Sequence, residues 1–479
     1  MAKIQSPSGT RDMYPADLLK RRYIEKLWRD TSIRHGFEEI DGPTFETADL
    51  YAVKSGEGIL SEVFQVYSGK DEAEVARIRG GANAPYALRP EFTPTLARMY
   101  AAKAGSLPKP TKWFWQQNCF RAEKQQRGRL REFGQWNCDI LGGENDAESR
   151  ARVDADVIAC AIGAFVDAGL TATTLQVHVS DRSVVGEILR GIGVPDTRMG
   201  DAFSTLDRLP KLPPQAGEEA CRAAGFDLQA FTAAAAFDGK AAMESASPLS
   251  MLRRDLASAD LGGWVKIDLR IARGLAYYTG TVFEVLADGE RAIAGGGRYD
   301  NLIELFGGPP TPAVGFGMGD VVLSLVLQDR GLLPEGDALM DALSRPSASY
   351  RPDVFVIPAG QSPEEQEAAA KAVRPLVAKL RRGVESEAYL SREGRKPWDA
   401  DRYALASNGA PPLHARSSSK ATKNIGKLLQ DAAGQKAKLA VIVENADEVT
   451  IKDLRTNQQD ATRTKIADLG RVVAERLGM

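Results

Sequence analysis

Four stretches of this chain are too polar, and too particular in their order, for the elements that carry them. In Leu88-Arg89-Pro90-Glu91-Phe92-Thr93 an acid and a hydroxyl open a helix that runs on through Leu96, Met99 and Tyr100. Such a pair ordinarily caps a helix by accepting from its free N–H groups, and the same oxygens can accept from a substrate ammonium. In Phe120-Arg121-Ala122-Glu123, a charged loop (Lys124-Gln125-Gln126-Arg127-Gly128) leads to Arg129-Leu130-Arg131-Glu132-Phe133-Gly134-Gln135. A solvated hairpin explains the loop. It does not explain Arg121 among aromatic and apolar residues, where a guanidinium is costly unless its fork meets a carboxylate or phosphate. The third stretch, Arg273-Gly274-Leu275-Ala276-Tyr277-Tyr278-Thr279-Gly280-Thr281-Val282-Phe283-Glu284, is either a plain entry into a strand or a cation, two phenols and a turn gathered in one pocket. The fourth, Ala294-Gly295-Gly296-Gly297-Arg298-Tyr299-Asp300, is a flexible turn or a place where backbone approaches a ligand closely. It is neither a Walker A loop nor a GxGxxG fingerprint.

The elements that must position these residues follow from periodicity. Apolar residues near the helical period predict a helix over 17–35, stopped by Gly36, and then a strand over 37–40 ended by Gly42-Pro43. Strand-like runs occupy 113–120, 135–141, 175–179, 265–269 and 281–286, and a long amphipathic helix 147–170. Strands interrupted by long helices predict a mixed, largely antiparallel sheet. The Ala-rich helical stretch 195–247 reads as an inserted helical subdomain, about 195–260. The composition changes after Leu333-Pro334, and 346–352 reads as a linker. Short apolar strands at 354–357 and 439–443 with a helix at 363–382 predict a small α/β domain. Residues 391–419 read as a loop insertion. The expected division is 1–345 and 346–479.

The totals set bounds. A chain of 479 residues exceeds what one core usually supports. It is 43% hydrophobic and 26% charged, with no apolar run long enough to span a bilayer, so no membrane role is expected. Met1 to Gly9 lack signal-peptide and transit-peptide patterns, which predicts a cytoplasmic protein. Cys119, Cys138, Cys160 and Cys221 have neither zinc-ribbon nor redox spacing and read as reduced and structural; no metal site is expected. With 62 basic and 64 acidic residues, any nucleic-acid site has to be a local patch. His35, His178 and His414 read as structural, the first closing a helix and the second lying in a strand.

Taken together and in this order, the four stretches resemble the histidyl-tRNA synthetases, over nearly the whole chain. The segment 273–284 is similar to the family's histidine-binding signature, Phe120-Arg121-Ala122-Glu123 to class II motif 2, and 36–43 to the dimer-forming motif 1. The resemblance implies an α+β catalytic core built on the class II sheet with a helical insertion, and a C-terminal α/β anticodon-binding domain. It implies a homodimer that takes ATP with Mg²⁺, L-histidine and tRNA(His). Glu91, Thr93 and Gln135 would hold the histidine ammonium, and Asp139 and Tyr278 the imidazole, with Tyr277 beside it. Arg121 and Arg273 would clamp the α-phosphate and the attacking carboxylate as the catalytic cations, and Glu123 would meet the adenine. Departures are local. Gly319-Asp320-Val321-Val322-Leu323 stands where motif 3 has Gly-Leu-Glu-Arg-Leu, so the adenine-stacking arginine is missing and Arg127 or Arg129 becomes the candidate substitute. Ala276 replaces a common acid, Phe92 a common glycine, and Lys124-Gln125-Gln126 the Arg-Pro-Gln that reads the extra 5′ guanosine of the tRNA. The rival resemblance is the histidine-binding regulatory subunit of ATP phosphoribosyltransferase, which typically ends after the catalytic core.

Overall fold

The helix Pro15–Arg34 opens on a proline, whose missing N–H costs nothing at that position, and closes at His35 before Gly36 at φ +81°. It belongs to a computed structural model that describes residues 4–55, 62–244, 247–272, 277–287, 292–360, 362–420 and 422–479. Ile24, Trp28 and Ile33 of this helix enter the main core, where Trp28 stacks on Trp136 at 5.9 Å between centroids. Eight strands form the main sheet, in the order Glu38–Glu39, Thr111–Phe120, Glu132–Leu141, Ala313–Gly319, Ala294–Arg298, Thr281–Ala287, Leu175–Asp181 and Val265–Ile267. Only the outermost pair at each edge is parallel. The sheet is therefore mixed and largely antiparallel, as expected. Its back is covered by the helix Ala147–Asp167, capped by the Asp146 carboxylate, with Ala151, Ala155, Ile158, Ile162 and Phe165 buried at helical spacing.

The glycine stretch 294–298 is a central strand rather than a turn. Glycine weakens a strand taken alone, but here ladders on both sides supply the hydrogen bonds. A β-carbon on Gly296 would lie 2.2 Å from the Gly315 carbonyl oxygen, so only glycine fits. Between the Leu175–Asp181 and Val265–Ile267 strands run the helices Arg182–Gly191, Met199–Arg208, Pro214–Ala224, Leu228–Glu244 and Pro248–Ser258. The helical excursion thus starts at Arg182, directly after a strand.

A second sheet has Ala415–Ser417, Val354–Pro358 and Leu439–Val443 in parallel, continued antiparallel by Glu448–Asp453. The helix Pro363–Arg382 packs on it, begun by a Ser362/Glu365 capping box and ended at Gly383, φ +73°. Residues 391–419 are no idle loop: they include the edge strand Ala415–Ser417 and a strap against the Ala147–Asp167 helix. Arg402, its side chain 5% exposed, donates to the Val166 and Asp167 carbonyls, both at 3.0 Å, and pairs with Glu385 at 2.9 Å. A buried cation thus satisfies the last carbonyls of the Ala147–Asp167 helix. Arg374 adds ion pairs to Asp156 at 3.2 Å and Asp255 at 3.0 Å. Among the described residues no helix is long and apolar enough to cross a membrane, and all four cysteines are unpaired and buried.

His414 sits in this seam. Its Nδ1–H donates to the Ser349 carbonyl at 2.7 Å, and its Nε2 accepts from Arg416 Nε at 2.9 Å, an arrangement that only the neutral ring can make. Burial first, then the Arg416 charge, holds its pKa down at about 3; burial, followed by the Arg381 charge, also holds His35 well below the usual histidine range. Both histidines bind a proton more readily in the unfolded chain, near pH 6.5. The stability they contribute is complete above that pH and is lost as pH falls toward the folded values. The unfolding free energy from urea titrations should therefore drop between about pH 7 and pH 5, with a slope of up to about 1.4 kcal/mol per pH unit for each histidine. In His414→Gln the slope should be shallower, leaving the share of His35. An unchanged slope in that variant would count against the neutral seam.

Candidate active site

Alternation along the strand Glu132–Leu141 sends Trp136, Cys138 and Ile140 into the core and presents Gln135, Asn137 and Asp139 on the opposite face. Their neighbours on Ala313–Gly319 are Gly319, Gly317 and Gly315, and the next strand sets Gly295 and Gly297 beside those. The result is a floor without side chains next to three buried polar groups. The vacancies are used: a β-carbon on Gly315 would fall 1.8 Å from Asp139 Oδ1, and one on Gly297 3.0 Å from the Tyr278 ring. The Asp139 carboxylate takes the space of the first, and the Tyr278 ring packs tightly against the second.

Asp139, 1% exposed, accepts a 2.5 Å hydrogen bond from the Tyr299 hydroxyl. Burial, and then the adjacent carboxylate, push the Tyr299 phenol well above its ordinary pKa, so it stays protonated and donates. Tyr277 and Tyr278 pack together at 4.6 Å between centroids, and Tyr277 meets Tyr299 edge-on at 6.2 Å. Gln135 Nε2 donates to Asn137 Oδ1 at 2.8 Å. Donors and acceptors are thus packed among aromatic rings, an environment suited to a small, flat, polar ligand.

The helix Thr93–Ala101 roofs this face. Phe92 stacks on Trp115 at 4.2 Å, with the planes within 1°, and Thr93 is buried in the first turn. Arg89 donates to the Asn118 carbonyl at 2.8 Å and the Gly42 carbonyl at 3.0 Å, with its guanidinium 4.7 Å from the Trp115 ring. Arg121 Nε donates to the Pro90 carbonyl at 3.1 Å, and its guanidinium lies 5.0 Å over Phe133, which brings Glu91 and the hairpin cation together. Burial pushes the nearby Cys119 thiol up to about 12, so it is inert.

The structure therefore places Glu91, Thr93 and Arg121 at the roof, Gln135 and Asp139 on the floor, and Tyr277 and Tyr278 at its wall. Glu123 stands on the hairpin in an ion pair with Arg129. Arg273 and Ala276 lie outside the described residues. Two site residues were not read from the sequence. Asn137 is 3% exposed, and its signal was present in the alternation Gln135-Asn137-Asp139 along a strand whose other side is apolar. Tyr299 gave no such signal, because its partner is 160 residues away. None of the three histidines joins the group; His178 Nδ1 lies 3.1 Å from Asp268, which also holds Arg270.

Residues 9–319 match the histidyl-tRNA synthetase family. A histidine–tRNA ligase of Opitutus terrae is 37% identical over 353 residues, 70% of this chain and 77% of that protein. The Pyrococcus furiosus histidine–tRNA ligase is 33% identical over 422 residues, 84% of this chain and 88% of that one. The chain belongs to the histidyl-tRNA synthetase family. In fold, the crystal structure of histidyl-tRNA synthetase from Nostoc sp. PCC 7120 matches 99% of this chain and 100% of its own length, with a TM-score of 0.54 at 20% identity.

Val322, the position that the resemblance gives to the missing motif 3 arginine, is 8% exposed in the helix Asp320–Asp329. Asp320 is buried, accepts the Gly134 N–H at 2.9 Å, and pairs with Arg11 at 2.7 Å. Of the candidate substitutes, Arg129 is engaged by Glu123, and Arg127 pairs at 3.3 Å with Asp329 at the far end of that helix.

Gly315 is the sharpest test of the floor. A methyl there must drive Asp139 off Tyr299, so Gly315→Ala should destabilise the protein by about 1–3 kcal/mol. Gly319→Ala, whose β-carbon meets nothing within 4 Å, should stay within about 0.5 kcal/mol. Denaturation of the two variants side by side checks this; equal losses would contradict the packing argument.

Proposed function

We propose that this chain activates histidine with ATP, releasing pyrophosphate, and transfers histidine from the adenylate to the 3′ end of tRNA(His). The observation that carries the reading is the buried Asp139–Tyr299 pair on a glycine floor, walled by Tyr277 and Tyr278, in a chain of this family. The imidazole fits between Asp139 and Tyr278, and the ammonium among Glu91, Thr93 and Gln135. A pocket built to bond both ring nitrogens leaves its own polar groups unpaired when an apolar amino acid enters, a discrimination of ~10⁴ or more.

In the activation step the histidine carboxylate oxygen forms a bond to the α-phosphorus as the bond to pyrophosphate breaks, and pyrophosphate leaves with the electron pair. Arg121 and Arg273 orient the two reacting groups and stabilise the charge that builds between them. No side chain acts as nucleophile. Glu123, oriented by Arg129, meets the adenine. Among the described residues no three His, Cys, Asp or Glu side chains converge on one point. Mg²⁺ would come with ATP, held by its phosphates and water. The unit 346–479 reads unstacked anticodon bases, and the enzyme works in the cytoplasm. It works as a homodimer, a state supported by the half-exposed aromatic pair Phe45 and Tyr86, in edge contact at 5.7 Å on a three-stranded sheet of Phe45–Thr47, Tyr86–Leu88 and Gln65–Val66 that follows the first helix.

Histidine-dependent exchange of pyrophosphate into ATP tests the chemistry. Wild type should exchange, whereas Arg121→Ala and Arg273→Ala should each lose about 10²–10³ in kcat, as removal of a preorganised charge does. A wild-type protein without exchange would sink the reading. Sedimentation at micromolar concentration should give a dimer that Phe45→Lys weakens; a monomeric wild type would contradict the assembly.

A further inference from the structure

Arg182 is the first residue of the helix Arg182–Gly191, where the helical insertion leaves the main sheet. By local rules it is misplaced, since a cation at a helix N-terminus opposes the macrodipole. The cap is already supplied by Asp181, whose Oδ1 accepts from the Ser183 N–H at 2.8 Å and the Val184 N–H at 3.3 Å. The Arg182 side chain is engaged elsewhere. Its Nη1 donates to the Ala272 carbonyl at 3.1 Å, while its backbone N–H donates to the Gly280 carbonyl at 3.0 Å. Ala272 and Gly280 flank the tyrosine pair Tyr277-Tyr278 on its two sides. One residue therefore bonds to the described backbone on each side of the pair. Its guanidinium lies 4.0 Å over the ring of Phe203, on the insertion helix Met199–Arg208, a cation–π contact that fixes the fork. Burial lowers the Arg182 pKa, and the Tyr278 and Asp207 side chains oppose that shift.

We propose that Arg182 is a positioning residue for this pocket: by tying Ala272 and Gly280 to the root of the helical insertion, it sets where Tyr277 and Tyr278 stand against Asp139. The inference rests on the reading of the pocket as the histidine site. Arg182 touches no reacting atom. Its loss acts on the tyrosine wall and leaves the Arg121 roof alone, so it bears on histidine and not on ATP. The same geometry makes the packing of the insertion, through Phe203, a determinant of amino-acid affinity.

The test is histidine-dependent pyrophosphate exchange by the full-length wild type, Arg182→Ala, Arg182→Lys and Phe203→Leu, with KM measured separately for histidine and for ATP. Arg182→Ala should raise the histidine KM about tenfold, the loss expected for one hydrogen bond from a charged donor, and leave the ATP KM within about twofold. Arg182→Lys, which keeps a donor for Ala272 but not the planar fork, should recover part of that loss. Phe203→Leu should raise the histidine KM about threefold, again without moving that for ATP. Should Arg182→Ala fail to fold, the Phe203→Leu ratio decides the matter. A histidine KM that stays unchanged, or that rises in step with the ATP KM, overturns the positioning role. No exchange in the wild type overturns the histidine reading itself, so the two failures are distinguishable.

Discussion

A carboxylate 1% exposed in the middle of a β-sheet has to be compensated on the spot, because burying an unpaired charge costs several kcal/mol. For Asp139 the compensation comes from the Tyr299 hydroxyl, and the room for it from the absent side chain of Gly315. Most of the catalytic face follows from that arrangement. The strands beside Asp139 have to be glycine-rich on the same side, and glycine strands have to be held by ladders on both edges. The aromatic rings that shield the carboxylate arrive from Tyr277, Tyr278 and Tyr299.

The glycine strands need fixing from behind as well. Arg298, buried on the rear face, pairs with Asp154 at 2.9 Å and Asp300 at 3.2 Å, and donates to the Arg150 carbonyl at 2.9 Å. Asp300 in turn accepts the Ala313 N–H at 3.0 Å. The helix Ala147–Asp167 is thereby tied to both glycine strands by charged groups, which are directional in a way that apolar packing is not. The same helix receives Arg402 at its C-terminal end, so a single element connects the site, the rear network and the second sheet. Cations meeting helix-end carbonyls and carboxylates fill that seam.

Much of this was legible beforehand. The first helix, expected over 17–35, spans Pro15–Arg34; the helix expected over 363–382 and the strand over 439–443 appear with those bounds. The two helices carry a complete local signal, an apolar period with a proline or capping box at one end and a glycine at the other, and the strand is an unbroken apolar run. Arg121 stood out because a guanidinium among apolar residues is costly unless used, Glu91 because it opens a helix, and Gln135 and Asp139 through the resemblance alone. The segments 294–298 and 391–419 were harder. Their glycines, prolines and serines speak locally for turns and loops, and it is the flanking ladders and the catalytic core that make one a central strand and the other partly a strap.

By itself the sequence determined the fold class, the family and the residue types that the chemistry requires, since these follow from short-range periodicity and from motifs a few residues long. Only the tertiary structure decided what Asp139 pairs with, what holds the tyrosine wall, and where the second sheet docks. Tyr299 meets Asp139 across 160 positions, Arg182 meets Ala272 across 90, and Arg402 meets Val166 across 236. Contacts at that separation depend on strand order and on the register of the glycine ladders, and no local propensity encodes either.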